Sequence, residues 1–328
     1  MKIFYYIFLT VFGASVAEKC NNRINSNGDY SSRLSPGVFT ETEHLYKYKP
    51  HSHELHNHYA NDKDYSGEMH LPPRRKIDNF VSDDVDADEP TNRIVGGEKV
   101  NNIEEYPFHV VMIGENDEHY RVCGGAIIAD KFIITCAHCF VSIDAVDHHV
   151  KAGISNLLQK AQIREGAKVF KHKKYPGGYF ENDIGLLKVK EPFKFSAKVG
   201  KIGLPHAAAC FIVGDIVTIL GFGQTTVHPT EIPNENLHVL KAPLTSRERC
   251  MERKIEFVGV EMTERVLCTD TPPGYGVCFG DSGGPMVIDG YVIGLVAHGS
   301  MCALGEPDIY TSVTFYLKWI HNILTNYQ

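Results

Sequence analysis

A serine set among glycines, Gly280-Asp281-Ser282-Gly283-Gly284-Pro285, is the first place in this sequence where chemistry could be done. Glycines let backbone N–H groups converge on an oxyanion developing beside the hydroxyl. A serine hydroxyl alone is a poor nucleophile and needs a base. Thr135-Cys136-Ala137-His138-Cys139 offers His138 for that task. The base in turn needs an orienter. Asn182-Asp183-Ile184-Gly185-Leu186-Leu187 sets a lone carboxylate, Asp183, at the head of an apolar run, where it would hold the imidazole tautomer and steady the imidazolium. Singly, each signal has a plainer alternative: a turn, a satisfied core histidine, a cap. Jointly, in the order His, Asp, Ser, they are the parts acyl transfer requires.

Those parts lie in a region of short apolar runs punctuated by Gly, Pro and Asn, at 108–113, 126–134, 184–189, 216–220 and 286–296. Such runs read as strands. Many short strands with little helical periodicity predict a mainly β domain, a barrel or a sandwich, closed by one amphipathic helix from Phe315 to Leu324. The whole chain has 328 residues, room for one large domain with an appendage or two smaller ones. Hydrophobic residues at 43% and charged residues at 22% exclude a wholly disordered or collagen-like chain. A net charge of −7 argues against a nucleic-acid partner, which needs a cationic footprint.

The N-terminus has the pattern of a secretory signal: Lys2, an apolar run from Ile3 to Ala14, then Ala14-Ser15-Val16-Ala17, with cleavage expected after Ala17. A spanning helix needs about 20 apolar residues, and this run stops short, so no membrane association is expected. Residues 18–93 are polar, with no sustained apolar period, and read as a mostly disordered leader. His51, His53, His56 and His58 lie within it and read chiefly as a solvated polar tract. An acidic run, Asp83 to Glu89, precedes Arg93, a candidate processing site.

With Arg93-Ile94-Val95-Gly96-Gly97 at the front, the region 94–328 closely resembles the trypsin/chymotrypsin family of serine endopeptidases. The resemblance implies an all-β fold of two packed antiparallel six-stranded β-barrels with a short C-terminal helix. It implies that Ser282 attacks a scissile carbonyl while His138 moves the proton and Asp183 orients His138, with an oxyanion hole from the backbone N–H groups of Gly280 and Ser282. No cofactor and no metal are implied. Cutting between Arg93 and Ile94 would free an α-amino group that pairs with Asp281, so the secreted, extracellular chain would be a zymogen. Protein or peptide substrates, an activating trypsin-like protease and protein protease inhibitors are the implied partners. A catalytically silent homologue serving as a binding module is the rival reading.

By family position Cys123–Cys139, Cys250–Cys268 and Cys278–Cys302 would be bridges. Three of the nine cysteines remain. Cys210 is placed to join Cys20 of the leader, and Cys136, where relatives usually have Ala, reads as a buried free thiol. Ala297 and His298 depart from the usual Ser and Trp, and Phe222 from Trp. The floor of the specificity pocket would be Gly276, with Gly299 at an open entrance and Asp308 on the opposite wall, able to meet Arg or Lys. That arrangement is similar to that of the crustacean collagenolytic serine proteases.

Overall fold

A computed structural model describes the backbone of residues 33–34 and residues 94–117, 119–177, 181–207, 209–224, 234–253, 263–298 and 302–327. The expected signal segment, the expected leader apart from Arg33 and Leu34, the histidine tract, Cys20, Arg93 and Gly299 lie outside the described residues.

Strands β1 (Arg33–Leu34) and β2 (Glu98–Lys99) precede the first barrel. That barrel comprises β3 (His109–Glu115), β4 (Tyr120–Ala129), β5 (Phe132–Thr135), β6 (His148–Ala152), β7 (Gln162–Lys171) and β8 (Gly185–Val189). It closes in the order β3-β4-β5-β8-β7-β6, with β6 returning to β3. After β9 (Phe211–Ile212) the second barrel uses β10 (Ile216–Gly221), β11 (His238–Thr245), β12 (Val266–Thr269), β13 (Pro285–Ile288), β14 (Tyr291–His298) and β15 (Asp308–Ser312). Its order is β10-β13-β14-β15-β12-β11, β10 also pairs with β11 to close the ring, and β2 is added outside β11. The expected pair of six-stranded antiparallel barrels is therefore present. Closure leaves neither ring with a free edge.

Two of the apolar runs that read as single strands are hairpins. The run 126–134 folds back at Asp130 and Lys131, and 286–296 folds back at Asp289-Gly290, both with positive φ of 50° and 80°. Asp-Gly in that conformation matches the right-handed twist of the strands it joins, so the turn interrupts the run at little cost. The helix expected over 315–324 runs Leu317–Asn326 and buries Leu317, Ile320 and Ile323, spaced three apart on one face. It lies by the first barrel, Trp319 packing edge-on to His172 and Tyr327 on Phe170.

Strand alternation fills the barrels. Val110, Ala126, Ile134, Val150, Leu186 and Leu187 belong to one buried cluster, and Val217, Ile219, Leu240, Ala242, Met286 and Ile293 to another. Burying side chains of this size contributes roughly 1.5–3 kcal/mol each before chain entropy is counted. The result is a pair of stiff supports whose connecting loops carry the polar residues.

Candidate active site

Residue His138 sits in a single 3₁₀ turn, Ala137–Phe140, directly after β5. The turn is pinned from several sides. Arg121 Nη1 and the Val141 amide both donate to the His138 carbonyl, at 3.1 and 3.2 Å, and Cys139 is bridged to Cys123 on β4. The imidazole itself is almost wholly buried.

Asp183 reaches that turn from the loop ahead of β8. Its Oδ2 lies 2.6 Å from His138 Nδ1, and its Oδ1 accepts the His138 amide at 2.8 Å. The two contacts fix both the ring and the backbone of one residue, and the carboxylate requires Nδ1 to carry a proton. The loop is held by residues the sequence reading did not single out. Thr311 Oγ1 donates to the Asp183 carbonyl at 2.8 Å, and Tyr316, at the head of the C-terminal helix, donates to Asn182 Oδ1 at 3.2 Å. Asn182 has a φ of 56°, which turns the chain so that Asp183 faces inward.

Ser282 is delivered by the loop before β13. Its carbonyl accepts the Gly124 amide at 2.8 Å, so the loop is stitched to β4 of the other barrel. Gly283 has a φ of 73°, and a Cβ there would overlap Thr135 Oγ1 and lie 2.7 Å from the Gly124 carbonyl. Only glycine lets this loop settle against the histidine turn. The amides of Asp281, Gly283 and Gly284 donate to the carbonyls of Cys278, Val296 and Asp281, whereas among the described residues no backbone carbonyl accepts from Gly280 or Ser282.

Asp281, beside the serine, is fully buried. Its oxygens accept the amides of Gly223 at 2.8 Å and Cys278 at 2.9 Å, yet burial outweighs these bonds and lifts its pKa to about 7. Ile94 is also buried, within the cluster containing Val217, Ile219 and Val277, and the adjoining Val95 carbonyl accepts the Gly276 amide at 3.0 Å. Asp308 lies at the end of β15 with Oδ2 accepting the Val277 amide at 3.0 Å, and the same oxygen is 3.0 Å from where a Cβ on Gly276 would stand.

The bridges Cys123–Cys139, Cys250–Cys268 and Cys278–Cys302 are formed, Cys210 is disulfide-bonded, and Cys136 is a buried free thiol. The sulfur and nitrogen atoms of Cys123, His138 and Cys139 cluster closely enough to suggest a metal, but the two sulfurs are spent in a bridge. Cys136, His138 and Asp183 form a second such cluster. There the 2.6 Å between Nδ1 and Oδ2 is a hydrogen-bond distance, shorter than two ligands on one tetrahedral ion allow. A further residue that sequence reasoning missed is His109, buried against Phe222 with ring centroids 5.7 Å apart. It carries no local signal, because burial of its ring is decided by strands distant in sequence.

The sequence model of the Trypsin family matches residues 94–320. The chain is 32% identical over 238 residues to Trypsin 5G1 of Aedes aegypti, covering 71% of this chain and 85% of that protein. It is 32% identical over 216 residues to Chymotrypsin-2 of Vespa crabro, covering 66% and 93%, and 34% identical over 207 residues to the anionic trypsin of Canis lupus familiaris, covering 62% and 81%. Double barrel, buried His–Asp pair, disulfides and similarity agree: this chain belongs to the trypsin family and carries the domain of a serine endopeptidase.

Proposed function

We propose that this protein is a secreted zymogen that, once cut between Arg93 and Ile94, hydrolyses peptide bonds through an acyl-enzyme. The observation that carries this reading is the 2.6 Å contact between His138 Nδ1 and Asp183 Oδ2, since it leaves Nε2 as the ring nitrogen able to accept a proton. Ser282 Oγ attacks the substrate carbonyl and passes its proton to His138, forming a tetrahedral oxyanion. The amides of Gly280 and Ser282 hold that oxyanion, each donor contributing on the order of 10²–10³ in rate. Collapse of the intermediate expels the amine, which takes the proton from His138. Water then repeats the sequence to release the acid.

Activation follows from the state of Asp281. A carboxylate held in a dry site by two amides alone gains strongly from a cation. The new α-amino group of Ile94 supplies one, and the pair orders the loop that carries Ser282. An activating protease that cuts after Arg and protein inhibitors that fill the cleft are the partners this reading implies. Three bridges within one small domain suit an oxidising, extracellular compartment. In the pocket, the closeness of Asp308 to Gly276 supports a basic or broad side-chain preference like that of the crustacean collagenolytic enzymes.

The test is kinetic. Protein treated with a trypsin-like activator should show a new N-terminus at Ile94 and hydrolyse peptide amides. His138→Ala and Ser282→Ala, cut equally well, should be slower by several orders of magnitude. Full activity in either variant would defeat the assignment.

A further inference from the structure

Charge is unevenly placed along this chain. Residues 151–201 hold twelve Lys and Arg side chains against four carboxylates, one of them the buried Asp183, although the net charge of the whole is −7. Part of that excess gathers on one flank of the first barrel. Lys168 on β7 and Lys188 on β8 are register partners, and Lys171, Lys173 and Lys174 continue from the end of β7. Like charges directly across a ladder repel. Lys168 and Lys188 have a local reason to be there: Lys188 donates to the Tyr327 carbonyl at 2.5 Å, and the Lys168 ammonium stands 4.3 Å from the centroid of the Tyr327 ring. Both lie at the C-terminal end of the helix Leu317–Asn326, where cations are favoured. The lysines further along have no such account. His172, between Lys171 and Lys173, packs on Tyr316 and Trp319 at the opposite end of that helix, where a carboxylate is the favoured charge. The helix has no acidic residue, and its first turn carries Lys318 instead. Burial first, and then the charges of Lys174 and Arg265, hold His172 below its ordinary pKa, which places both cations near its ring. Lys171, Lys173, Lys174 and Lys318 are exposed, and none of them forms an ion pair among the described residues.

We propose that this flank, Lys168, Lys171, Lys173 and Lys174 with Lys318 of the helix, is a docking surface for a sulfated polysaccharide, its ammonium groups pairing with successive sulfates. Uncompensated cations in a row are complementary to a chain of closely spaced anions. A lipid surface fits less well, because an interfacial site also needs apolar side chains to insert. Among the described residues of the flank and the helix with its cap, Tyr327 is the one large hydrophobic that is exposed. Sulfated chains are the polyanions an extracellular protein meets, so the choice of partner rests on the reading of the chain as secreted. The binding itself does not depend on that reading or on catalysis. Each exposed pair is worth little alone, so affinity comes from several together and falls as salt screens them.

The experiment uses the full, uncut chain and a heparin oligosaccharide, titrated at about 0.15 M salt and again at higher salt. Wild type should bind and be released as salt rises. Lys168→Gln, Lys171→Gln and Lys173→Gln combined should weaken binding by at least roughly tenfold. Lys99→Gln with Lys241→Gln, at exposed lysines on β2 and β11, should leave it unchanged. No binding by wild type overturns the proposal, and so does equal weakening by the two control substitutions. Tighter binding to phosphatidylserine vesicles or to a DNA duplex than to heparin overturns it as well. Binding that appears only after the leader has been cut away and removed would make the acidic run Asp83 to Glu89 the occupant, and the proposal fails in that case too. Should the triple variant not fold, protection of wild type decides. Bound oligosaccharide should shield Lys171 and Lys173 from acetylation, and equal acetylation with and without it overturns the proposal.

Discussion

The carboxylate of Asp281 rests on the bare backbone of Gly223: Oδ1 accepts the Gly223 amide at 2.8 Å, and a Cβ at that glycine would stand 2.5 Å from both carboxylate oxygens. Such close seating explains the raised pKa of about 7, since water is excluded and two amides replace it incompletely. A carboxyl whose folded pKa is raised stabilises the fold when protonated, and that contribution is lost as pH rises through about 4 toward 7. The uncut protein should therefore lose stability over this range, and Asp281→Asn should flatten the loss. After cleavage at Arg93 the same variant should remain nearly inactive. Thermal melts against pH, before and after cutting, check both expectations.

Asp308 sets the second prediction. If its carboxylate meets basic side chains, Asp308→Gly should reduce kcat/KM for substrates with Arg or Lys before the cut bond by at least tenfold, and leave aromatic or aliphatic substrates less affected. A peptide library profiled with both proteins measures this. An unchanged preference would assign Asp308 to local contacts such as the Val277 amide.

His109 supplies an acid sensitivity of the opposite sign. Among the described residues neither ring nitrogen has a hydrogen-bond partner, and burial lowers its pKa to about 3. The unfolded chain binds this proton near pH 6.5 and the native state refuses it, so stability present above that pH is lost as pH falls toward 3. His109→Leu should shift the acid unfolding midpoint downward, and equilibrium denaturation between pH 3 and 7 reads the change.

The leader is expected to outlast its own cleavage. Arg33–Leu34 pairs antiparallel with Phe211–Ile212, next to Cys210, which is disulfide-bonded. Cys20 of the leader is the partner we expect for it, with Cys136 free and six of the other cysteines in three bridges. On non-reducing electrophoresis the cut protein should run as one species and split into two with reductant. Cys20→Ser should release the leader without reductant.

Much of the site was legible because its parts are local. Ser282 announces itself by flanking glycines, His138 by adjacent Cys139, and Asp183 by the apolar strand it heads, so each motif could be read within a few residues. Strand existence was legible for the same reason, through short apolar runs punctuated by Gly, Pro and Asn, whereas the breaks at Asp130-Lys131 and Asp289-Gly290 depend on turn residues hidden inside those runs. What lay beyond reach are relationships across the chain. The thiol of Cys136 donates to the Val296 carbonyl 160 residues away, Tyr316 steadies Asn182 across 134 residues, and His109 is buried against Phe222 of the other barrel's connecting loop. Burial and partner choice at these positions are set by barrel closure, and no local pattern encodes them.

The most direct measurement is covalent labelling with a fluorophosphonate probe, which phosphonylates an activated serine with loss of fluoride. Protein cut between Arg93 and Ile94 should be labelled at Ser282 alone, labelling should be far slower in the uncut chain, and Ser282→Ala should abolish it. Well-folded, correctly cut protein that takes up no label, or a Ser282→Ala variant that labels as readily as wild type, would contradict the account.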